Sequence, residues 1–426
     1  MVHAFGGSNP SRATTENKSR EINQNQNLIE NPQKSKNKMH SNQFNYLKIP
    51  HAFHIFRKGI YSLYIAHAIR GFVASLIGFF IPIYFYKIGL NIPEILLYYI
   101  ITYFFIILFS IVVGGIGNKV GLKHTMIISL PLYLLYLGGI MLLKKYPSPT
   151  FLYSLAIFGA FISALYWVPL HCLFVRLSSN KNQDKQKQVG LLFSVRSLGS
   201  MIAPLLGGLI SILFGFEALF ATAIFILIIP IIILLNSKDI HPHINFSSAD
   251  LWLFFRKHTR LFIIILLDAF ATFADDIIWP LLVFLILRDT VSVGVVGSLI
   301  GVGTIVFTLI IGKIIAKNDW QRIIKVSAFM LAFLWIVKAF FANEKISIYT
   351  ISLVAAMFAL MFSVPLSSKT YSLAKRNKNL DEFIVFRQMV VYLGRLMAVF
   401  FAIILVSQLN ISLLLSGVAY FIISLF

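Results

Sequence analysis

Seven charged residues stand inside long apolar stretches of the sequence, where an isolated charge is costly. They are Arg70, Arg196, Asp268, Asp275, Asp276, Arg387 and Arg395. A carboxylate can take up and release a proton, whereas an arginine stays charged and attracts an anion or a carboxylate. Each of these residues therefore needs a partner, water or a bound ligand. Their types predict ion pairing, proton transfer or anion binding.

Three uncharged side chains could extend such a site. His67 lies one helical turn before Arg70, so its imidazole could enlarge the polar patch there. Tyr166 and Trp167 precede Pro169 in another apolar stretch and could stack on a ligand. Packing in the protein interior is the alternative interpretation for all three, and for the two aromatic residues so is anchoring at a membrane interface.

The patterns of catalysis and metal binding are missing from the sequence. The histidines are scattered without ligand spacing, and the one cysteine, Cys172, excludes a disulfide within the chain. No nucleophile elbow, Walker loop or strand-linked dinucleotide motif occurs. We therefore expect no enzyme activity, no cofactor and no metal site.

The composition indicates what kind of structure must position the seven charges. Of the 426 residues, 58% are hydrophobic and 12% are charged, against about 45–50% and about 25% in soluble domains. This excludes a soluble globular enzyme. The net charge of +21 would suit nucleic acid, but so few charged residues cannot cover the large wet surface that such binding needs.

Apolar stretches of about 17 to 28 residues alternate with short polar breaks from Ile60 onward, and about 20 helical residues cross a bilayer. Alternation in units of about ten residues, typical of barrel strands, is absent. Twelve spans are predicted: 60–86, 95–117, 124–143, 150–175, 189–214, 216–235, 261–287, 291–312, 321–341, 346–368, 382–406 and 410–426. The sequence thus predicts an all-α polytopic membrane protein of the cytoplasmic membrane.

Basic residues are divided unevenly between the two sets of polar breaks. One set, with the N-terminal segment, carries 27 lysines and arginines; the other carries 6, and we count Lys338 among these. Because loops rich in basic residues stay in the cytoplasm, both termini are predicted to be cytoplasmic. Nearly all of the excess positive charge is then a signal of orientation.

Two segments outside the spans have a distinct composition. Residues 1–59 form a predicted disordered cytoplasmic tail, rich in Asn, Gln, Ser and Lys. For residues 1–38 two interpretations stay open: an ordinary polar tail, or untranslated sequence before a start at Met39. Residues 236–260 form the longest break, a cytoplasmic linker, in which 248–257 suits an amphipathic helix at the inner membrane surface. A solvated linker is the alternative.

The two halves of the chain repeat each other at an offset near 198 residues. Matches at this offset are Pro82 with Pro280, Gly114 with Gly312 and Lys119 with Lys317; Val168-Pro169-Leu170 matches Val364-Pro365-Leu366 at 196. We therefore predict two six-helix bundles, 60–235 and 261–426, in the same orientation because six is even. Parallel repeats of this kind belong to one class of transporter.

The break between spans two and three carries a glycine-rich motif. Residues 114–123 read Gly-Gly-Ile-Gly-Asn-Lys-Val-Gly-Leu-Lys. This resembles the major facilitator superfamily signature, roughly G-x-L-a-D-r-x-G-r-k, in the loop where that family carries it. The resemblance assigns a gating loop to Gly114, Asn118, Lys119 and Gly121.

Three positions depart from that signature. Asn118 and Leu122 replace its Asp and an Arg, and Ala316 stands where the second half would carry an Asp. We therefore expect an amide hydrogen bond in place of the ionic latch of the family.

Spans five and eleven carry the rest of the resemblance. Span five is similar to the glycine and proline pattern of exporters and antiporters in that family, through Gly199, Pro204, Gly207 and Gly208. Pro204 removes an internal hydrogen bond and small residues permit close crossing, which predicts a helix bend. The general abundance of Gly and Pro in membrane helices is the alternative. Span eleven, with its run 382–395, looks like that of bacterial drug exporters.

The resemblance implies which charges meet. Spans one and seven would face each other over a central cavity, and spans seven and eleven would share a half. Asp275 and Arg395, both about 20 Å from the inner end, are then a predicted pair. Arg70 and Arg196 have no acid in their half, so their counter-ion comes from span seven or with a substrate. Alternatively, Arg196 and Arg387 reach the inner surface and backbone carbonyls hold Arg70.

The resemblance further implies a monomeric transporter that moves a small molecule by alternating access. Proton-coupled export is the leading prediction, with Asp268 and Asp275 as proton carriers because the partner beside a carboxylate can change its protonation. Asp276 is turned by about 100° from Asp275. A carrier of an anionic solute is the alternative, as is a membrane protein that translocates lipid or assists assembly.

Overall fold

The computed structural model describes residues 59–178, 182–235, 239–242, 244, 248–317, 320–377 and 379–426. The predicted disordered tail and the question of a start at Met39 lie outside these residues. Within the described part, the regular structure is helical throughout. The helices belong to one compact unit, Phe56–Phe426.

The helices of the first half follow the predicted spans closely. They are α1 (Gly59–Gly78), α2 (Phe80–Lys87), α3 (Ile92–Val120), α4 (Leu122–Leu142), α5 (Pro149–Leu177), α6 (Asn182–Leu213) and α7 (Gly215–Leu235). Together α1 and α2 correspond to span one, and α3 to α7 correspond in order to spans two to six.

The second half begins with a short helix in the linker. Its elements are α8 (Ser248–Lys257), α9 (Thr259–Phe273), a π-helix (Ala274–Ile278), α10 (Trp279–Leu287), α11 (Thr290–Lys317), α12 (Trp320–Phe341), α13 (Lys345–Arg376), α14 (Leu380–Ile404), a 3₁₀ turn (Val406–Gln408) and α15 (Leu409–Leu425). The predicted helix at 248–257 is present as α8. Span seven consists of α9, the π-helix and α10.

Ten described helices are long and apolar enough to cross a membrane. The two remaining predicted spans, five and seven, are also helical. The apolar part of α6 whose side chains the structure describes is Gly199–Leu213, and the π-helix interrupts span seven. Twelve complete crossings therefore stay a prediction.

Local sequence explains where α3 begins and ends. Asn91 Oδ1 accepts a hydrogen bond from the Glu94 N–H at 2.9 Å, and Glu94 Oε2 accepts one from the Asn91 N–H at 2.8 Å. This reciprocal capping box satisfies two N–H groups that have no partner within the helix. At the other end Gly121 has a φ of 92°, which a residue without Cβ adopts readily, and the chain reverses into α4.

The π-helix before Pro280 changes the register of span seven. Proline lacks an N–H group and its ring crowds the carbonyl four residues earlier, so the ordinary helical hydrogen bonds cannot continue. A π-helical turn holds one more residue than an α-helical turn. Asp275 and Asp276 both lie within this turn.

The halves approach each other through glycines where α6 crosses α11. A Cβ atom on Gly294 would lie 2.5 Å from the Pro204 carbonyl oxygen, and one on Gly208 would lie 2.8 Å from the Thr290 carbonyl oxygen. Next to Pro204, the Leu205 N–H donates a hydrogen bond to Ser298 of α11 at 3.1 Å. The small residues of span five therefore permit backbone contact between the two halves.

The same helix packs against α1 on its other side. A Cβ atom on Gly199 would lie 3.0 Å from Phe72 Cα, and one on Gly207 would lie 2.2 Å from the Leu76 carbonyl oxygen. Larger residues at these positions would push α1 and α6 apart. The four residues of the predicted helix-bend motif thus lie at helix contacts with both halves.

Candidate functional site

Arg70 of α1 is buried against aromatic rings. Its guanidinium carbon lies 3.6 Å from the centroid of the Tyr166 ring, 5.2 Å from that of Tyr133 and 5.6 Å from that of Trp167. The residue is 7% exposed, and none of the described residues forms an ion pair with it. Aromatic faces attract a cation more strongly when water is excluded. Arg70 is thus a fixed positive charge that rings stabilise and no described carboxylate neutralises.

His67, Tyr166 and Trp167 lie beside Arg70. Nδ1 of His67 and the Tyr166 hydroxyl are hydrogen-bonded at 3.0 Å, so His67 does join this polar patch. Tyr166 is 1% exposed and Arg70 lies over its ring, so a ligand cannot stack on that face. Trp167 lines a neighbouring cavity. Two aromatic side chains were proposed to stack on a ligand. Of these, Trp167 is the one that a ligand in the cavity can contact.

A cavity of about 210 Å³ opens beside Arg70, between the two halves. The first half contributes Arg70, Trp167 and tyrosines of α3 and α4, and the second half contributes residues of α14. The tyrosines that line it are Tyr98, Tyr99, Tyr103, Tyr133, Tyr136 and Tyr392. Their hydroxyl groups can donate or accept hydrogen bonds. The wall is therefore aromatic, polar at several points, and positively charged at Arg70.

A second cavity of about 410 Å³ adjoins the first. Tyr103 and Arg395 line both cavities, and Asp276 lines the second. Ser75 and Gly297 bring α1 and α11 to its wall. The two cavities together form an internal space between the halves, with arginines on opposite walls.

Arg395 is paired with Asp276, not with Asp275 as predicted from the sequence. Arg395 Nη2 donates a hydrogen bond to Asp276 Oδ2 at 2.7 Å, while Nε of Arg395 is buried without a described hydrogen-bond partner. The side chain of Asp276 is 50% exposed. The prediction was wrong because the π-helix turns Asp276, rather than Asp275, toward α14.

Asp275 instead pairs with Lys338 of α12, at 2.5 Å between Oδ1 and Nζ. Lys338 was counted among the basic residues of the second set of polar breaks, but its side chain is 2% exposed within the protein. Its ammonium nitrogen lies 4.1 Å from the ring centroid of Trp335 and 4.8 Å from that of Trp279. The carboxylate and the indole faces replace the water that the ammonium group loses. Lys338 stands at the end of an apolar stretch, where a lysine ordinarily indicates the membrane surface.

Asp268 of α9 has a different environment. The Tyr420 hydroxyl donates a hydrogen bond to Asp268 Oδ1 at 3.0 Å, and no described lysine or arginine forms an ion pair with it. Arg387 donates a hydrogen bond to Gln388 at 3.3 Å, and its Nε atom is buried without a described partner. The side chain of Arg196 lies outside the described residues, so its role stays a prediction.

Contacts between α5 and the second half close one end of the bundle, the predicted cytoplasmic end. Arg176 forms an ion pair with Asp381 of α14, in which Nε donates to Oδ1 at 3.1 Å and Nη2 donates to Oδ2. His171 Nδ1 and the Tyr371 hydroxyl of α13 are hydrogen-bonded at 2.8 Å. In the sequence, Arg176 and Asp381 are ordinary charged residues at the ends of spans, and nothing near them indicates that they pair.

The glycine-rich motif at 114–123 holds the linker. Asn118 Nδ2 donates to the Ile244 carbonyl at 2.7 Å, and Asn118 Oδ1 accepts from the Ile244 N–H at 2.8 Å. The amide hydrogen bond expected at Asn118 is thus formed, with the linker backbone as its partner. Gly114 is buried within α3, and Lys119 is exposed at its end.

Asp239 of the linker binds the beginning of α4. Its carboxylate accepts hydrogen bonds from the N–H groups of Lys123 at 2.7 Å and His124 at 3.2 Å, and it contacts the His124 ring. A Cβ atom on Gly121 would lie 2.3 Å from Asp239 Oδ2. Burial raises the pKa of Asp239, but the hydrogen bonds from Lys123, Ile240 and His124 lower it, and the net pKa is below the usual range.

In the part of the chain that the structure describes, no group of three or more His, Cys, Asp or Glu side chains could hold a metal ion. The internal space contains a single carboxylate, Asp276, among the residues that line it. Its arginines and tyrosine hydroxyls are groups that bind a small anion or a polar solute through hydrogen bonds.

Comparison with known proteins identifies the family and the fold of the chain. Residues 63–399 match the model of the Major Facilitator Superfamily, whereas no curated protein matches the chain. A crystal structure of the human organic anion transporter MFSD10 (TETRAN) is similar, with a TM-score of 0.64 and 11% identity over 87% of this chain and 99% of that chain.

Two crystal structures of FucP, the fucose:proton symporter of E. coli, share the fold as well. One has a TM-score of 0.63 and 13% identity over 87% of this chain and 98% of that chain. The other, in the outward conformation, has a TM-score of 0.62 and 13% identity over 86% and 98%. Because the family model covers most of its length, the chain belongs to the Major Facilitator Superfamily, whose members are membrane transporters and not enzymes.

Proposed function

We propose that the protein is a secondary active transporter that carries a small anionic solute through the space between its halves. The observation that carries the proposal is Arg70, a buried positive charge beside the cavity that has no ion pair with a described residue. A charge that the protein leaves without a counter-ion can receive one from the solute. The organic anion transporter among the similar structures shares the fold and adds no evidence on the substrate.

The geometry suits an anion that bridges the two halves. Tyr166 covers one face of the Arg70 guanidinium, which leaves N–H donors at its edge, and a guanidinium can bind a carboxylate or phosphate with two parallel hydrogen bonds. Arg395 on the opposite wall keeps one N–H without a described partner. A solute held by both arginines would contact both halves at once.

The contacts at one end of the bundle support a mechanism of alternating access. In this structure the contacts of Arg176 with Asp381 and of His171 with Tyr371 hold one end closed. Release on that side requires these contacts to break as two parallel six-helix bundles rock about the solute. We propose this motion for a monomer with twelve spans.

We infer a location in the cytoplasmic membrane with both termini inside. The uneven division of basic residues, 27 on one side and 6 on the other, supports this orientation. The closed end described above would then face the cytoplasm.

A thermal-shift screen in neutral detergent tests the substrate class, because a ligand that binds the folded state raises its melting temperature. Carboxylates, and amides and amines with the same carbon skeletons, are the probes. We expect the carboxylates to stabilise the protein and Arg70→Gln to weaken their binding by about 10- to 100-fold, the effect of a charged hydrogen bond. Arg322→Gln, which removes an exposed arginine of α12, is the control. Equal stabilisation by the amides would refute the proposal.

Proton coupling is a second candidate function, and Asp268 is the residue that favours it. Its described partner is a neutral hydroxyl, that of Tyr420, so a proton can neutralise this carboxylate without breaking an ion pair. Asp275, the other predicted proton carrier, already has Lys338 as its counter-ion. We therefore propose Asp268 as the proton carrier. Export stays the predicted direction.

Reconstituted vesicles test this second function with a carboxylate from the screen. A pH gradient should accelerate uptake by the unmodified protein, and Asp268→Asn should abolish that acceleration while solute exchange without a gradient continues. Glu344→Gln, at an exposed position before α13, should respond to the gradient like the unmodified protein. Uptake by Asp268→Asn that still follows the gradient would exclude Asp268 as the carrier.

A further inference from the structure

A pocket of about 340 Å³ lies at the end of the second half where α9 and α12 begin, outside the internal space between the halves. Residues of α8, α9, α12, α13 and α15 line it. By the predicted orientation this end faces the cytoplasm. The pocket is lined by the hinge between the linker helix and span seven.

Four basic side chains line the pocket. They are Lys257, Arg260, Lys325 and Lys369. Lys369 lies 4.8 Å from the ring centroid of Trp320, but none of the four forms an ion pair with a described residue, and no carboxylate side chain stands among the residues that line the pocket. Four positive charges around one space repel each other, and a bound anion would relieve this repulsion.

The electrostatics around His258 agree with this arrangement. Burial lowers the pKa of His258, and the positive charges of Lys257 and Lys369 lower it further. Two long helices, α9 and α12, also begin beside the pocket. The beginning of a helix carries a partial positive charge. The field in the pocket thus favours an anion.

The remaining wall of the pocket is apolar. Leu261, Ile264, Ile324 and Ile423 contribute buried hydrocarbon surface beneath the basic side chains. A small hydrated anion gains nothing from contact with an apolar wall, whereas the acyl chains of a lipid can pack against it. On the neighbouring helix α8, Trp252 is 65% exposed, as expected of a residue that anchors a helix at a lipid surface.

We propose that this pocket binds a phosphate-bearing anion, namely the head group of an anionic phospholipid. Basic pockets between membrane helices on the cytoplasmic side suit such head groups. The bound lipid would hold α8, the start of span seven and α12 together. This site is separate from the transport cavity, and its existence does not depend on the proposed substrate.

Thermal unfolding of the full chain in neutral detergent tests the site. Dioleoyl phosphatidylglycerol, dioleoyl phosphatidylcholine and free glycerol phosphate are titrated in separate arms. The pocket variant, Arg260→Gln with Lys369→Gln, removes two charges from the pocket. The control variant, Arg256→Gln with Arg322→Gln, removes two exposed charges of α8 and α12 that do not line the pocket. Phosphatidylglycerol should stabilise the unmodified protein and the control.

The pocket variant should need about 30-fold more phosphatidylglycerol for half of the effect, given the attraction of two basic residues for an anionic lipid. Stabilisation by phosphatidylglycerol but not by glycerol phosphate assigns the site to lipid, and equal stabilisation by both assigns it to a soluble phosphate ester. Equal weakening in the pocket variant and the control, or stabilisation by phosphatidylcholine to the same degree, would overturn the proposal.

Discussion

Asp275 and Lys338 form an ion pair inside the second half, at 2.5 Å, in which the two side chains are unequally buried. Lys338 is 2% exposed and Asp275 is 32% exposed. The lysine therefore depends on the aspartate for its charge to be tolerated, whereas the aspartate can still reach water. Replacing Asp275 and replacing Lys338 should therefore have different effects on the stability of the protein.

We predict that Asp275→Asn destabilises the protein more than Lys338→Met. Asp275→Asn leaves a buried ammonium group without a counter-charge, which costs about 3 kcal/mol of the free energy of unfolding. Lys338→Met retains the apolar stem and leaves Asp275 partly hydrated, so a smaller loss is expected. Melting temperatures in detergent measure both, and the double variant should recover most of the loss. A Lys338→Met protein less stable than Asp275→Asn would contradict this assignment of burial.

The pairing of Arg176 with Asp381 predicts that the closed end can be opened by one substitution. Arg176→Gln removes an ion pair that joins the halves and leaves Asp381 buried without its counter-ion, so the closed state should be disfavoured. Cys172, the one cysteine of the chain, is buried in the same helix. We expect a maleimide to label it about tenfold faster in Arg176→Gln, for a change in the closed state near 1.4 kcal/mol.

Two features make the labelling rate a measure of how readily the maleimide reaches Cys172. Loss of a positive charge does not favour the reactive thiolate, so faster labelling is not a change in reactivity. Glu217→Gln breaks an exposed ion pair of the first half, Lys144 with Glu217, and should leave the labelling rate unchanged. If Glu217→Gln accelerates labelling as much, the effect is general loosening and not opening at Arg176.

The low pKa of Asp239 predicts how the linker attachment depends on pH. A carboxyl group whose pKa is lower in the folded state stabilises that state above its unfolded pKa, near 3.9, and this contribution is lost as the pH falls through the folded value. The melting temperature of Asp239→Asn should therefore lie below that of the unmodified protein at pH 7, and the difference should shrink below about pH 4. Asn118→Ala removes hydrogen bonds that do not titrate, so its effect should persist. A constant difference for Asp239→Asn would contradict the prediction.

Gly121 predicts a contrast between two glycines of the same motif. In Gly121→Ala the new methyl group would lie 2.3 Å from Asp239 Oδ2, on a backbone with a φ of 92°, so the linker must move away and stability should fall by about 1–3 kcal/mol. Gly115→Ala has no heavy atom within 4 Å of the added Cβ, and in a helix it should be neutral or stabilising by up to about 1 kcal/mol. Proteolysis of the linker in both variants, together with melting temperature, distinguishes them.

The sequence predicted the helices better than it predicted their contacts. Length and hydropathy determine where a membrane helix can form, and α1 to α15 follow the predicted spans and linker helix. The partner of a charge depends on rotation about the helix axis, which one π-helical turn changes. For this reason the sequence identified Asp268, Asp275 and Asp276 as charges within a span, while the predicted pair of Asp275 with Arg395 was wrong.

Lys338 and Arg176 show a second reason why the partners of charged residues could not be predicted from the sequence. A basic residue at the end of an apolar stretch has the same local sequence whether it faces lipid head groups or a carboxylate on another helix. Only the distances to Asp275 and to Asp381, far away in the chain, separate these cases. The one indication of a pair in the sequence was an acidic and a basic residue at equal depth in two spans. Several acid–base combinations met this condition.

The stacking of Trp167 on His171 connects the cavity beside Arg70 with the closed end of the bundle. Trp167 lines the cavity beside Arg70 and lies parallel to His171, with ring centroids 5.7 Å apart and an angle of 19°. His171 in turn is bonded to Tyr371 across the closed end. The indole of Trp167 therefore contacts the internal space on one side and His171, which bonds across the closed end, on the other. A change in its fluorescence would accompany both binding of a solute and opening of that end, without an attached dye.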